Sequence, residues 1–452
     1  MKARSPAAPV NRWTRAVVAG VREVAGSSAA SVTGAGSDET LMSHSEEAAV
    51  PRLGAGEEPG AAAGRRIQMI EPLLAKLRGG RLRIVLPNGS AIASPPSPGG
   101  LQATLAIRRW RALRRLAIGG DVGFAEAFID GDWTSPDLVA LLRLAARNVE
   151  PIRAATRGVP VFRWADQLRH VLRGNTRRGS RRNIMAHYDL GNAFYALWLD
   201  PTMQYSSALW SEDTPDLETA QKRKLDRVAE LLELEGGESV LEIGCGWGAL
   251  ATHLAETRDA RVTAITLSPA QLAFARARAV PDDCAAPVDF RLEDYRDVRG
   301  RYDRIVSIEM LEAVGEARWL HYFETLARSL NADGRAVLQT ITINEAYYEH
   351  YRRNPDFIQK HVFPGGFLPS KPALAAEIER AGLQILDRQS FGNSYARTLA
   401  EWRKAFHARW NEAAGLGFDD RFRRLWDYYL AYCEAGFAEG TIDVTLVSIA
   451  HA

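Results

Sequence analysis

The sequence predicts an α/β protein built on a doubly wound parallel sheet, with a smaller α+β unit ahead of it. Three observations carry that expectation. In the second half of the 452-residue chain, short apolar runs alternate with helix-like segments, the pattern of a parallel sheet covered by helices. The first of these runs, Ser239-Val-Leu-Glu-Ile243, passes through Gly244-Cys-Gly-Trp-Gly248 into the helix-like Ala249 to Glu256, which reads as strand, tight turn and helix. Residues 67–150 hold a separate set of short strands and helices without a cluster of titratable side chains.

Composition narrows the function classes. A hydrophobic fraction of 46% supports proper cores, and a net charge of +2 argues against a strongly electrostatic nucleic-acid binder. The three cysteines, Cys245, Cys284 and Cys433, are far apart and lack histidines at ligand spacing. Neither a disulfide framework nor a metal site is indicated, which suits a reducing cytosol. No apolar run approaches the roughly 18 residues of a membrane span, so any contact with a bilayer is expected from its surface.

Taken in order, residues 1–66 are rich in Ala, Gly, Ser and Pro and read as a disordered tail. Their basic start lacks the apolar stretch of a secretory signal. In the 67–150 unit, Ile70 to Leu77 reads as a short helix, Gly79 to Leu86 as a strand entering the Pro87-Asn88-Gly89 turn, and Ala103 to Trp110 as another strand. Helices follow at Gly123 to Ile129 and Asp137 to Arg147, the second capped by Ser135 or Asp137.

Residues 151–182 form a basic connector in which arginines such as Arg163, Arg169 and Arg173 alternate with apolar residues and face essentially one acid, Asp166. The pattern fits an amphipathic helix on anionic headgroups and, equally, a plain interdomain helix with solvated arginines. Duplex nucleic acid would want more cations over a groove-sized face.

Residues 183–452 make up the main domain. After an aromatic-rich stretch, a helix from Thr214 to Leu234 leads to the first strand and the glycine turn. Arg261 to Ser268, Val288 to Leu292, Tyr302 to Ile308 and Arg335 to Ile343 supply further strands. A helix over Trp426 to Phe437 precedes the last strand, Gly440 to Val447. Glycines at every second position let main chain approach a ligand closely, at the strand end where open α/β sheets bind nucleotide-like molecules. The turn matches neither a dinucleotide fingerprint nor a phosphate loop, which favours a ligand without a pyrophosphate.

Glu242 followed by Gly244, Gly246 and Gly248 resembles the first motif of S-adenosylmethionine-dependent class I methyltransferases. Other stretches specify the family. His187-Tyr-Asp, Leu199-Asp-Pro-Thr-Met-Gln-Tyr205-Ser206-Ser207-Ala, Thr266-Leu267-Ser268-x-x-Gln271, Ile308-Glu-Met-Leu-Glu312-Ala-Val-Gly315, Phe357 to Pro369 and Phe391-Gly-Asn-Ser-Tyr395 resemble, in order, the cyclopropane-fatty-acid and mycolic-acid cyclopropane synthases. The 67–150 unit, with Gly123-Phe-Ala-Glu-Ala-Phe-Ile-Asp-Gly-Asp-Trp133, looks like that family's small lipid-carrier-like domain.

The resemblance implies S-adenosylmethionine held by Tyr205, Ser206, Glu242, the three glycines, Thr266, Leu267, Gln271, Asp294 and Tyr295. It implies methyl transfer to a cis double bond of an unsaturated phospholipid acyl chain, then proton removal by a bound bicarbonate. Glu312, Tyr395 and the main chain of Ile341 would hold that anion. Gln339 and Ser207 stand where the family has histidine and cysteine, and Ala313 where histidine commonly follows the glutamate; both Gln and Ser still donate hydrogen bonds. These departures leave open ring closure or loss of a different proton to give a methylene or methyl branch.

The Phe357 to Pro369 segment is expected to wall or lid the acyl chain. The location implied is cytoplasmic, at the inner face of the membrane, and a homodimer is compatible with the reading. Taken singly, Glu312 would be a capping acid, Tyr395 a core residue, Cys245 a packing residue and His187 a structural histidine. A lipid-binding protein that kept the fold without turnover is the non-enzyme alternative; intact Glu242, Glu312 and Tyr395 oppose it.

Overall fold

The computed structural model describes residues 74–97, 100–149, 190–278 and 288–452. The amino-terminal tail, the basic connector, the segment with His187, and Cys284 lie outside the described residues.

In the small unit, β1 (Gly80–Val85), β2 (Ala91–Ala93), β3 (Leu101–Ile107) and β4 (Trp133–Thr134) form a sheet of order β2-β1-β3-β4. β1 turns back through Pro87-Asn88-Gly89 onto antiparallel β2, yet pairs in parallel with β3. One face of this sheet supplies Ile84, Leu105 and Ile107 to the core. Against them pack α1 (Arg111–Ile129), which breaks at Gly120, and α2 (Leu138–Arg147). Asp137 rather than Ser135 caps α2, its carboxylate accepting from the Ala140 N–H at 2.8 Å.

In the main domain, after a short helical turn at Asn192–Tyr195, come α3 (Leu217–Leu232), β5 (Ser239–Ile243), α4 (Ala249–Arg258), β6 (Arg261–Thr266), α5 (Pro269–Arg278), β7 (Val288–Leu292), β8 (Tyr302–Ile308), α6 (Trp319–Ser329) and β9 (Leu330–Ile343). Then come α7 (Lys371–Arg380), β10 (Leu383–Ser390), α8 (Gly392–Ala408), α9 (Asp420–Ala438) and β11 (Ile442–His451). Seven strands pair in the order β10-β11-β9-β8-β5-β6-β7.

Five of these are parallel, as the alternation predicts, and four start or end within two residues of the expected bounds; β9 begins earlier, at Leu330. The carboxyl-terminal strand departs from the all-parallel expectation. β11 runs antiparallel to both β9 and β10, and β10 is a strand the sequence reading lacks. Its only buried residue is Leu383, so β10 presents no apolar alternation to read.

Helix α9 joins the two units. It buries Phe422, Leu425, Trp426, Tyr428 and Tyr429, and Phe128 of α1 lies 5.6 Å from Tyr428, ring to ring. At its end Glu439 accepts from Arg143 at 2.7 Å and Arg147 at 2.6 Å. Aromatic side chains from the stretch before α3 fill the same core: Phe194, Tyr195 and Trp198 are buried, Phe194 and Trp198 pack on Trp426, Trp198 also on Trp402, and Tyr195 on Tyr205 and Trp247. Each such ring contributes on the order of 1.5–3 kcal/mol when fully buried. That layer fixes Tyr205 and Ser206 against the carboxyl ends of the strands.

Candidate active site

β5 ends at Ile243 and the chain turns through Gly244, whose φ of 85° belongs to the left-handed region. A Cβ at Gly244 would stand 2.9 Å from Met310 Cγ, so glycine lets this turn lie against the end of β8. Gly248 answers to the same two demands: its φ is 87°, and a Cβ would meet the Phe290 ring at 2.8 Å, which makes it a packing residue beneath the helix start.

One cavity opens over the turn. Tyr205, Ser206, Glu242, Gly244 and Gly246 line it, as do Thr266, Leu267, Gln271 and Tyr295. The structure thus brings together nine of the eleven residues expected to bind a cofactor. Gly248 and Asp294 are not in this wall: the former packs on Phe290, and the Asp294 carboxylate is turned onto the Arg296 guanidinium at 2.7 and 2.5 Å. That contact makes the Asp294 side chain fix the loop carrying Tyr295.

Two buried ionisable groups face each other here. Burial raises the Glu242 carboxyl to about 8, opposed by the Lys224 ammonium. Burial also lowers Lys224 to about 8, against the attraction of Glu309, Asp200 and Glu242. Lys224 comes from α3, is 1% exposed and donates to Ser206 Oγ at 3.0 Å. Glu242 Oε2 is buried without a hydrogen-bond partner, an acceptor aimed into the cavity.

Beyond the turn lies a cluster of buried carboxyls. Tyr395, expected with Glu312 to hold a bicarbonate, donates its hydroxyl to Glu309 Oε2 at 2.6 Å. The other Glu309 oxygen accepts from the Ser207 N–H at 2.9 Å and from Gln339 Nε2 at 2.7 Å. Ser207 thus contributes main chain rather than hydroxyl, because its Oγ donates to the Ala208 carbonyl at 3.0 Å.

Glu312 sits one short turn later and accepts from the Ile341 N–H at 2.5 Å and the Thr340 hydroxyl at 3.0 Å. Both carboxyls are pushed up, first by burial. Glu312 reaches about 7 with the Glu309 charge as its second cause, while three hydrogen bonds to Glu309 work against its rise. Of the two, Glu309 lines the cavity over the glycine turn.

The sequence reading misses Glu309 and Lys224. Glu309 carried a signal, since an acid directly after an apolar strand repeats the place of Glu242 at the sheet's ligand-binding edge. Its backbone φ of 49° is rare for a residue with a side chain and holds the carboxylate inward. Lys224 offered none, being one lysine among the charged residues of a helix.

In the Phe357 to Pro369 segment, Phe357 is buried, the Phe367 N–H donates to the Glu312 carbonyl at 2.8 Å, and Phe363 lies 6.1 Å from Tyr429, ring to ring. Lys360 and His361 both reach Glu126 of the small unit at 3.1 Å, which ties this segment to α1.

A protein-family model described as mycolic acid cyclopropane synthetase matches residues 175–447. The chain belongs to that family. Tuberculostearic acid methyltransferase UfaA1 of Mycobacterium tuberculosis is 39% identical over 384 residues, covering 80% of this chain and 86% of the relative. Cyclopropane-fatty-acyl-phospholipid synthase of Escherichia coli is 34% identical over 357 residues, covering 76% and 87%. Among solved structures, the cyclopropane synthase CmaA1 complexed with SAH and CTAB is similar at a TM-score of 0.56 and 33% identity, covering 60% of this chain and 97% of that one.

This member of the mycolic acid cyclopropane synthetase family is an S-adenosylmethionine-dependent methyltransferase of the lipid-modifying kind, with the class I methyltransferase fold. The cavity fits the cofactor. The unpartnered Glu242 oxygen can accept from hydroxyl or ammonium groups, the open main chain of Gly244 and Gly246 admits close contact, and Tyr295 offers an aromatic face.

Proposed function

We propose that the enzyme methylates the cis double bond of an unsaturated phospholipid acyl chain and closes a cyclopropane ring. S-adenosylmethionine supplies an electrophilic methyl group. The observation that carries the reading is a single cavity whose wall runs from the glycine turn and Glu242 to Glu309, with Tyr395, Gln339 and Glu312 behind that last residue. An alkene is a poor nucleophile, so the protein must hold donor and acceptor in line and exclude water. Half-buried Tyr205 lines the cavity and packs on buried Trp198 and Trp402, with rings 5.4–5.6 Å apart, which supports an aromatic face able to stabilise a passing carbocation.

A second reading stops at a methylene or methyl branch. It is favoured by the replacement of histidine and cysteine by Gln339 and Ser207, and by the relative named as a tuberculostearic acid methyltransferase. A 1,2-hydride shift before proton loss from the added carbon would give the methylene branch with the same base, and proton loss from a neighbouring chain carbon an unsaturated methyl branch. The acyl chain would be reached from the inner face of the membrane, where the connector's arginines attract anionic headgroups.

The test is incubation of the full chain with S-adenosylmethionine and vesicles of unsaturated phosphatidylglycerol, followed by mass spectrometry of the fatty acids. A gain of one methylene unit with a ring supports the first reading, the same mass with an exocyclic or branched carbon supports the second, and unmodified lipid refutes both.

A further inference from the structure

We infer that Glu309 takes the place a bound bicarbonate would fill, so that the base of this enzyme is built into its chain. The inference rests on the proposed function and goes past it to the residue that receives the proton.

The argument begins with where the hydrogen bonds go. A bicarbonate at this site would need the groups assigned to it: the Tyr395 hydroxyl, donors at positions 207 and 339, and the Ile341 N–H. In this structure each has a carboxylate already. Tyr395, the Ser207 N–H and Gln339 Nε2 converge on Glu309 at 2.6, 2.9 and 2.7 Å, and the Ile341 N–H is held by Glu312 at 2.5 Å. Gln339 Nε2 gives its remaining contact to the Ser207 carbonyl at 3.3 Å. A second anion would enter beside two buried carboxylates with no donor left for it, and burying an unpaired charge is strongly unfavourable. The residues present do not fit bicarbonate.

Glu309 fits the task instead. Three donors fix the direction of its carboxylate, and its left-handed backbone, unfavourable for a residue with a side chain, is retained where the side chain reaches the cavity wall. Burial keeps the carboxyl basic beyond an ordinary glutamate, the property a general base requires.

The step balances without a co-reactant. The alkene π pair forms the new C–C bond as the S–CH3 bond breaks, its electrons going to sulfur. A Glu309 oxygen then takes one proton from the added methyl, the C–H pair closes the ring, and the proton leaves to solvent with product release.

The test uses the full-length enzyme, S-adenosylmethionine and unsaturated phosphatidylglycerol vesicles in buffer stripped of carbon dioxide. Turnover is expected to stay within about twofold when bicarbonate is added back. Glu309→Gln is expected to lose about 100-fold or more in kcat, the scale of general-base catalysis, while binding S-adenosylmethionine as before. Collapse of wild-type turnover without bicarbonate and recovery with it, or a Glu309→Gln enzyme near wild-type rate, would overturn the inference. Should the wild type modify no lipid in any buffer, the proposed function fails, and carbon-13 bicarbonate still decides this point by NMR. No saturable uptake by wild type with uptake by Glu309→Ala supports the inference; saturable uptake by wild type refutes it.

Discussion

The Tyr395 hydroxyl donates to the Glu309 carboxylate at 2.6 Å, across 86 residues of sequence. This bond links α8 to the end of β8 and sets the direction of an acid in the wall of the cofactor cavity. A hydrogen bond to the ionised form favours that form, so it also makes Glu309 less basic than burial alone would.

Removing the tyrosine hydroxyl should therefore have two effects. Tyr395→Phe should lower kcat about 10-fold or more by loosening Glu309, and it should shift the acid limb of the kcat–pH profile upward, because the lost donor had lowered the carboxyl's pKa. A profile unchanged in rate and position would contradict the pairing.

The wild-type profile should itself rise with pH through a limb above the ordinary carboxylate range. Glu312 is pushed to about 7 by burial and the Glu309 charge, and Glu309 is raised too, so the limb belongs to the pair rather than to either residue. Glu312→Gln removes a negative neighbour, which should move the limb toward lower pH while S-adenosylmethionine affinity, read by calorimetry, stays within about threefold.

Glu242 governs the cofactor-free protein. Its carboxyl is raised from the ordinary value to about 8, so the folded state holds a proton that the unfolded chain has released. The sign follows: stability attached to this proton is complete below the unfolded value near 4.5 and is lost as pH rises toward 8. Glu242→Gln should raise the cofactor-free Tm relative to wild type by an amount that grows between those limits and then levels. The same variant should weaken S-adenosylmethionine binding about 10-fold or more.

Lys224 opposes the burial of Glu242 and Glu309. Lys224→Met should leave buried acids without their cation and destabilise the fold by roughly 3 kcal/mol, read by chemical denaturation. It should also move the acid limb upward, since a nearby positive charge had favoured the ionised carboxylates. A downward shift would show that the lysine does not act on them.

Much of this was legible in the sequence because each signal was local. The glycine turn, the strands β5 to β8 and the aromatic stretch around Phe194 depend on near neighbours in the chain, and the structure keeps them. The misses depend on tertiary context. β10 is a mostly exposed strand held by pairing with β11, so it shows no apolar period. Asp294 stood beside an arginine two residues away that takes its carboxylate. Glu309 and Glu312 lie three residues apart on one motif, and the pairing of Tyr395 with the first of them is a contact across 86 residues that no local pattern shows.

The most direct measurement supplies S-adenosylmethionine carrying a fully deuterated methyl group to the enzyme with unsaturated phospholipid vesicles. If a buried base removes a proton from the transferred methyl after attack by the alkene, the product acyl chain will carry two of the three deuterons at its new carbon. Retention of all three deuterons, or no label in the acyl chain, would contradict the account.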